Sequence, residues 1–169
     1  MQLKVNKWLF SFALFVVWGC GPSEPKWPDL VPVSGAVTYE GKPLADALVI
    51  FSPMGSKQEG QGASAFTDAS GKYTLETAGG NGKTKPGAVP GKYGVKISRM
   101  VKPDGSVWKP DPNVSSGPAT FGAREELPPE YSLQSTLTAE VAKDGAVCDF
   151  KLDKKNNSAD PVSNLGKKK

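Results

Sequence analysis

The stretch VPVSGAVTYEGKPLADALVIFSP, Val31 to Pro53, decides how this chain folds. In its first half Val33, Val37 and Tyr39 recur with the period of two that sets side chains on one face of a strand, with Gly35 between them. Gly41-Lys42-Pro43 then turns the chain, and ALVIFSP (47–53) returns it as a run apolar on both faces, the pattern of a central strand. Alternation punctuated by glycine and proline is strand-and-turn chemistry, whereas a helix would show apolar residues three and four apart.

The same pattern recurs downstream. ASAFTDASGKYTLET (63–77) holds two strands about a turn at Asp68 to Gly71, where the Asp68 carboxylate can accept bonds from the backbone just ahead and Gly71 can take positive φ. Tyr73 and Leu75 face inward together. GKYGVKISRM (91–100) alternates Tyr93, Val95 and Ile97 with Lys92, Lys96 and Ser98, a half-buried strand. STLTAEVA (135–142) turns Leu137, Ala139 and Val141 inward, and AVCDFKL (146–152) does the same with Cys148, Phe150 and Leu152, the two being joined by a turn at Lys143-Asp144-Gly145. These runs predict an all-β fold, a seven-stranded antiparallel β-sandwich with a long loop between the last strands. GGNGKTKPGAVP (79–90) is too glycine-rich for regular structure and lacks the spacing of a phosphate loop, so it reads as a connector.

Ahead of the first strand, Trp8 to Trp18 is eleven residues, apolar except Ser11. That is well short of the about 20 needed to span a bilayer as a helix. Lys4 and Lys7 precede it and small Gly19 follows, the three zones of a secretory signal. Val17-Trp18-Gly19-Cys20 resembles the lipobox of bacterial lipoproteins. The resemblance implies a signal peptide over 1–19, cleavage before Cys20, and acyl chains carried on the Cys20 thiol and amine. Gly21, in place of the aspartate that retains such proteins at an inner membrane, favours an outer membrane. A Pro-rich spacer occupies 20–30, one domain 31–153, and a polar, basic tail, expected to be disordered, 154–169.

Removal of Lys4 and Lys7 from the 21 basic residues leaves 19 against 17 acidic, a charge of +2 with no nucleic-acid footprint. There is no histidine, which removes the commonest general base and metal ligand, and with them zinc sites and Ser-His or Cys-His nucleophiles. No cofactor and no metal are expected. Of the two cysteines the lipid takes Cys20, leaving Cys148 as a buried, inert thiol. A Cys20–Cys148 disulfide is the alternative if Cys20 carries no lipid.

The strand sequences together, VPVSGAVTYEGKPLADALVIFSP, TDASGKYTLET and PGKYGVKIS, resemble the carboxypeptidase regulatory-like domain of bacterial lipoproteins, over about Val31 to Leu152. The resemblance implies a transthyretin-like (prealbumin-like) β-sandwich and a non-catalytic module, and no reaction.

Chemistry or binding then has one candidate segment, residues 100–134, which is long for a loop in a small domain. It holds Trp108, Phe121 and Tyr131 beside Asp104, Asp111, Arg124, Glu125, Glu126 and Glu130. Aromatics beside carboxylates suit a sugar or a peptide; the alternative is that the aromatics pack the loop onto a sandwich edge. Adjacent Glu125 and Glu126 do not establish the separation that glycoside hydrolysis needs, and Asp68 to Gly71 reads as a turn rather than part of a calcium loop. The expectation is therefore a lipid-anchored cell-envelope protein with a structural or interaction role and no catalysis. Its partners would be a membrane through Cys20 and an envelope protein or glycan, the alternative being a glycan- or peptide-binding protein that uses the 100–134 loop.

Overall fold

The computed structural model describes residues 27–55, 62–79, 82–111 and 113–154. The signal peptide, Cys20, most of the spacer and all but Lys154 of the tail lie outside the described residues.

Val33 and Val37 are fully buried along β1 (Val33–Tyr39), and Tyr39 packs against the same core. Glu40 and Gly41 both take positive φ, 52° and 73°, the two-residue turn whose twist matches the strands it joins. It folds β2 (Lys42–Pro43) back on β1 through Tyr39 and Lys42. The chain then leaves that sheet. Thr67 sits at the crossing, its hydroxyl donating to the Leu44 carbonyl (2.6 Å) and accepting from the Ala47 amide (2.9 Å), so that β3 (Leu48–Pro53) starts in a second layer.

In that layer β3 is central, as its two apolar faces require. It lies between β4 (Ala63–Phe66) and β8 (Gly91–Ser98) in a six-stranded antiparallel sheet. The far side is extended by β6 (Glu76–Ala78) and β7 (Thr84–Pro86), and the near edge by β11 (Thr138–Val141). The other sheet is built on β1, which takes β5 (Lys72–Thr74) antiparallel and β12 (Ala146–Val147) and β13 (Phe150–Leu152) parallel. A two-stranded ribbon of β9 (Met100–Val101) and β10 (Arg124–Glu125) continues from the end of β8.

Among the described residues the molecule is thus mostly β with almost no helix. The antiparallel seven-strand plan is met differently in three places. The final run pairs parallel to β1, because the strand before it, β11, belongs to the opposite sheet and the chain crosses over before returning. The run from Lys72 to Ala78 divides at Leu75 between the two sheets: β5 pairs with β1, β6 with β4. The glycine-rich connector forms β7 after all, since Gly79 and Gly82 stay in the turn, where the Gly79 amide donates to Lys83, and leave Thr84 to Pro86 free to pair.

The inward faces of the two sheets make one core. The Phe51 ring lies 5.6 Å from that of Tyr93 within its own sheet and 6.3 Å, edge-on, from that of Phe150 in the other. Side chains of this size each contribute about 1.5–3 kcal/mol when fully buried. At Gly35 the link between β12 and β13 passes so close to β1 in the same sheet that a Cβ would stand 1.8 Å from the Cys148 carbonyl oxygen. The Tyr73 hydroxyl uses the same space to donate to that oxygen at 2.6 Å. Burial therefore drives the Tyr73 phenol far above its ordinary pKa, and it pushes the Cys148 thiol up to about 11, helped by the nearby Asp149 charge. Cys148 is a buried free thiol.

Candidate functional site

The 100–134 segment is tied down at its base by carboxylates. Glu125 accepts from the Ser98 hydroxyl (2.6 Å), the Arg99 amide (2.9 Å) and the Leu127 amide (3.1 Å). Arg99 in turn donates to the Ala45 carbonyl (2.9 Å) and forms an ion pair with Glu126. The carboxylates that suggested hydrolysis are thus occupied in fastening the loop to the second sheet.

Beyond that base the loop closes on itself. Lys102 to Ser106 form a turn in which Asp104 accepts from both the amide and the hydroxyl of Ser106, bonds that hold its carboxyl below the usual range. Val107 bridges to Val101, and the Trp108 amide donates to Met100 at 2.8 Å. Lys109 reaches Asp46 at 2.5 Å with its ammonium 5.7 Å from the Phe66 ring centroid, which lays the loop across the sheet. Asp111 repeats the short turn, accepting from the amide and side chain of Asn113. A 3-10 helix, Pro118–Phe121, then ends on Gly122 at φ 66°.

These turns enclose a cleft of about 270 Å³ lined by Trp108, Phe121, Val114, Lys102, Lys109, Asp111 and Ser116. Two of the three aromatics picked out from the sequence meet there. Trp108 is half-buried, and Phe121 keeps 42% of its surface exposed. No protein-family model, curated protein or solved structure matches the chain.

Tyr131 is elsewhere. It is 1% exposed in a second 3-10 helix, Pro129–Tyr131, and its hydroxyl donates to the Asp153 carbonyl (2.9 Å) while accepting from the Asp153 amide (3.0 Å). It clips the end of β13 to the core, so it belongs to the structure and not to the cleft. The lysines of the cleft had no signal in the sequence: Lys102 and Lys109 stand in a proline-punctuated stretch without period, and only folding puts them beside Trp108.

Asp68 caps its turn by accepting from the Ser70 amide and hydroxyl and the Lys72 amide, and these bonds lower its pKa. Among the described residues no group of three or more acidic or cysteine side chains could hold a metal ion. No helix among them is long and apolar enough to cross a membrane.

Proposed function

We propose that this chain is a lipid-anchored, non-catalytic protein of a cell envelope, a transthyretin-like β-sandwich held at a membrane through acyl chains on Cys20 and serving as a structural or interaction module. The observation that carries this reading is Val17-Trp18-Gly19-Cys20, placed after a short apolar run and before a Pro-rich spacer that leads into a β-rich domain. Each buried CH₂ of an acyl chain contributes about 0.8 kcal/mol, so two or three chains hold such a domain at the bilayer without a spanning helix. The turn at Glu40-Gly41, the Asp68 cap and the close approach at Gly35 support a β-sandwich-like domain, because each gives a physical reason for the residue that stands there in such a fold. The engagement of Glu125 and Glu126 in holding the loop supports the non-catalytic reading.

A second reading, an envelope binding protein, is favoured by the meeting of Trp108 and Phe121 in one cleft.

The test of the anchor is the intact mass of protein taken from membranes of expressing cells, wild type beside Cys20→Ala. A chain beginning at Cys20 and heavier by its acyl groups, with the increment lost in the variant, is the expected result. An unmodified mature mass would overturn the anchor and reopen a disulfide to Cys148.

A further inference from the structure

We propose that the cleft beneath the 102–121 loop binds a neutral pyranoside, one or two rings of an envelope glycan, stacked on Trp108 and Phe121. The proposal rests on the envelope reading for where such a glycan is met, and on geometry for the rest.

Size comes first. At about 270 Å³ the cleft falls just below the usual range of small-molecule sites, about 300 to 1,000 Å³. That suits a compact ring system and is too small for an extended peptide. A peptide would also look for a free strand edge to extend. Here β9, the strand that leads into the cleft, is paired on one side with β10 and bridged on the other by Val107, so it offers none.

The chemistry of the lining is amphipathic in the way a sugar is. Aromatic faces favour flat apolar surface with polarised C–H groups, which one side of a pyranose presents. Its hydroxyls each donate and accept, and the rim supplies both capacities: Asp111 accepts, Lys102 donates, and Ser116 does either. Charge excludes the nearest competitor. Lys109 is already paired with Asp46, and Lys102 faces the field of Asp104 with Asp111 on the same rim. The cations are matched by carboxylates, so an acidic sugar or a phosphate would find no net positive charge to pair with.

The site is also built before its ligand arrives. Asp104 and Asp111 hold their own turns, and the Trp108 backbone is fixed to Met100. Ordering costs that would weaken binding are met by the fold itself.

The full mature chain, purified in detergent, is to be titrated by calorimetry with cellobiose and with N,N′-diacetylchitobiose. Cellobiuronic acid and an unstructured decapeptide serve as comparators. The expected result is saturable binding of at least one neutral disaccharide with a Kd of about 1 mM or tighter. Trp108→Ala and Phe121→Ala should each weaken it roughly tenfold while the far-UV circular dichroism stays that of wild type. Absence of saturable binding by both neutral sugars overturns the proposal, as does binding that survives Trp108→Ala or tighter binding of the acidic sugar or the peptide. The intact mass of the same wild-type preparation separates the two readings. Sugar binding with no lipid on Cys20 breaks only the anchor, and a lipidated chain that ignores sugars breaks only the cleft.

Discussion

Tyr73 and Trp108 are both aromatic side chains with a polar tip, yet the molecule uses them in opposite ways. Around Tyr73 the strands flanking β1 in one sheet close in until a glycine is needed at residue 35, and the hydroxyl donates to the buried Cys148 carbonyl that reaches over it. Around Trp108 the backbone satisfies itself through Asp104, Asp111 and short-range turns, so the aromatic side chains are left over and turn toward a common opening. Where long-range packing consumes the side chain, the residue is structure. Where local bonds satisfy the loop, what remains is available to a ligand.

The sharpest way to break that contrast is Gly35→Ala. The added methyl would overlap the Cys148 carbonyl and crowd the Tyr73 hydroxyl at 2.9 Å, and both are held by strands on either side. A loss of about 3 kcal/mol or more is expected in urea unfolding, or failure to fold. An unchanged midpoint would mean that the Cys148 carbonyl does not lie against Gly35.

Next in size is the alkaline response of Cys148. Its pKa is raised in the folded state from 9.0 to about 11, so the folded chain keeps a proton that the unfolded chain gives up. That contribution is whole below pH 9 and is lost as pH rises through about 11. Wild type should therefore lose about 2 kcal/mol more than Cys148→Ala between those limits, read from urea unfolding at a series of pH values. Parallel curves would show the thiol to be open to water.

The smallest effect belongs to the cleft. Phe121 is 42% exposed and ends a 3-10 helix with no buried residue, so Phe121→Ala should shift stability by less than about 0.5 kcal/mol in the same unfolding experiment. A loss above about 2 kcal/mol would move Phe121 from the ligand side of the comparison to the structural side.

Much of the sandwich-like core was legible because alternation is local. Val33 with Val37, Tyr93 with Val95 and Ile97, and Cys148 with Phe150 and Leu152 are all buried as their period of two required. The turn at Asp68 was legible for the same reason, its acceptor and its donors lying within four residues. Pairing was not. Nothing in AVCDFKL distinguishes a strand parallel to β1 from one antiparallel to its predecessor, because the choice depends on which layer β11 joins. In the candidate site the aromatics were visible by type, but Tyr131 could not be separated from Trp108 and Phe121. Its partner is the backbone of Asp153, 22 residues away.

By itself the sequence determined the strand-and-turn character of the domain, its inward-facing residues, the lack of histidine chemistry, and the lipobox-like stretch ending at Cys20. These follow from residue identity and from neighbours one to four positions apart. Only the tertiary structure decided the division of the strands between two sheets, the close approach at Gly35, and the meeting of Trp108 with Phe121 over Lys102 and Asp111. Those contacts join residues that sequence distance keeps apart, Tyr73 and Cys148 by 75 positions, and burying apolar area against a distant partner leaves no local signature.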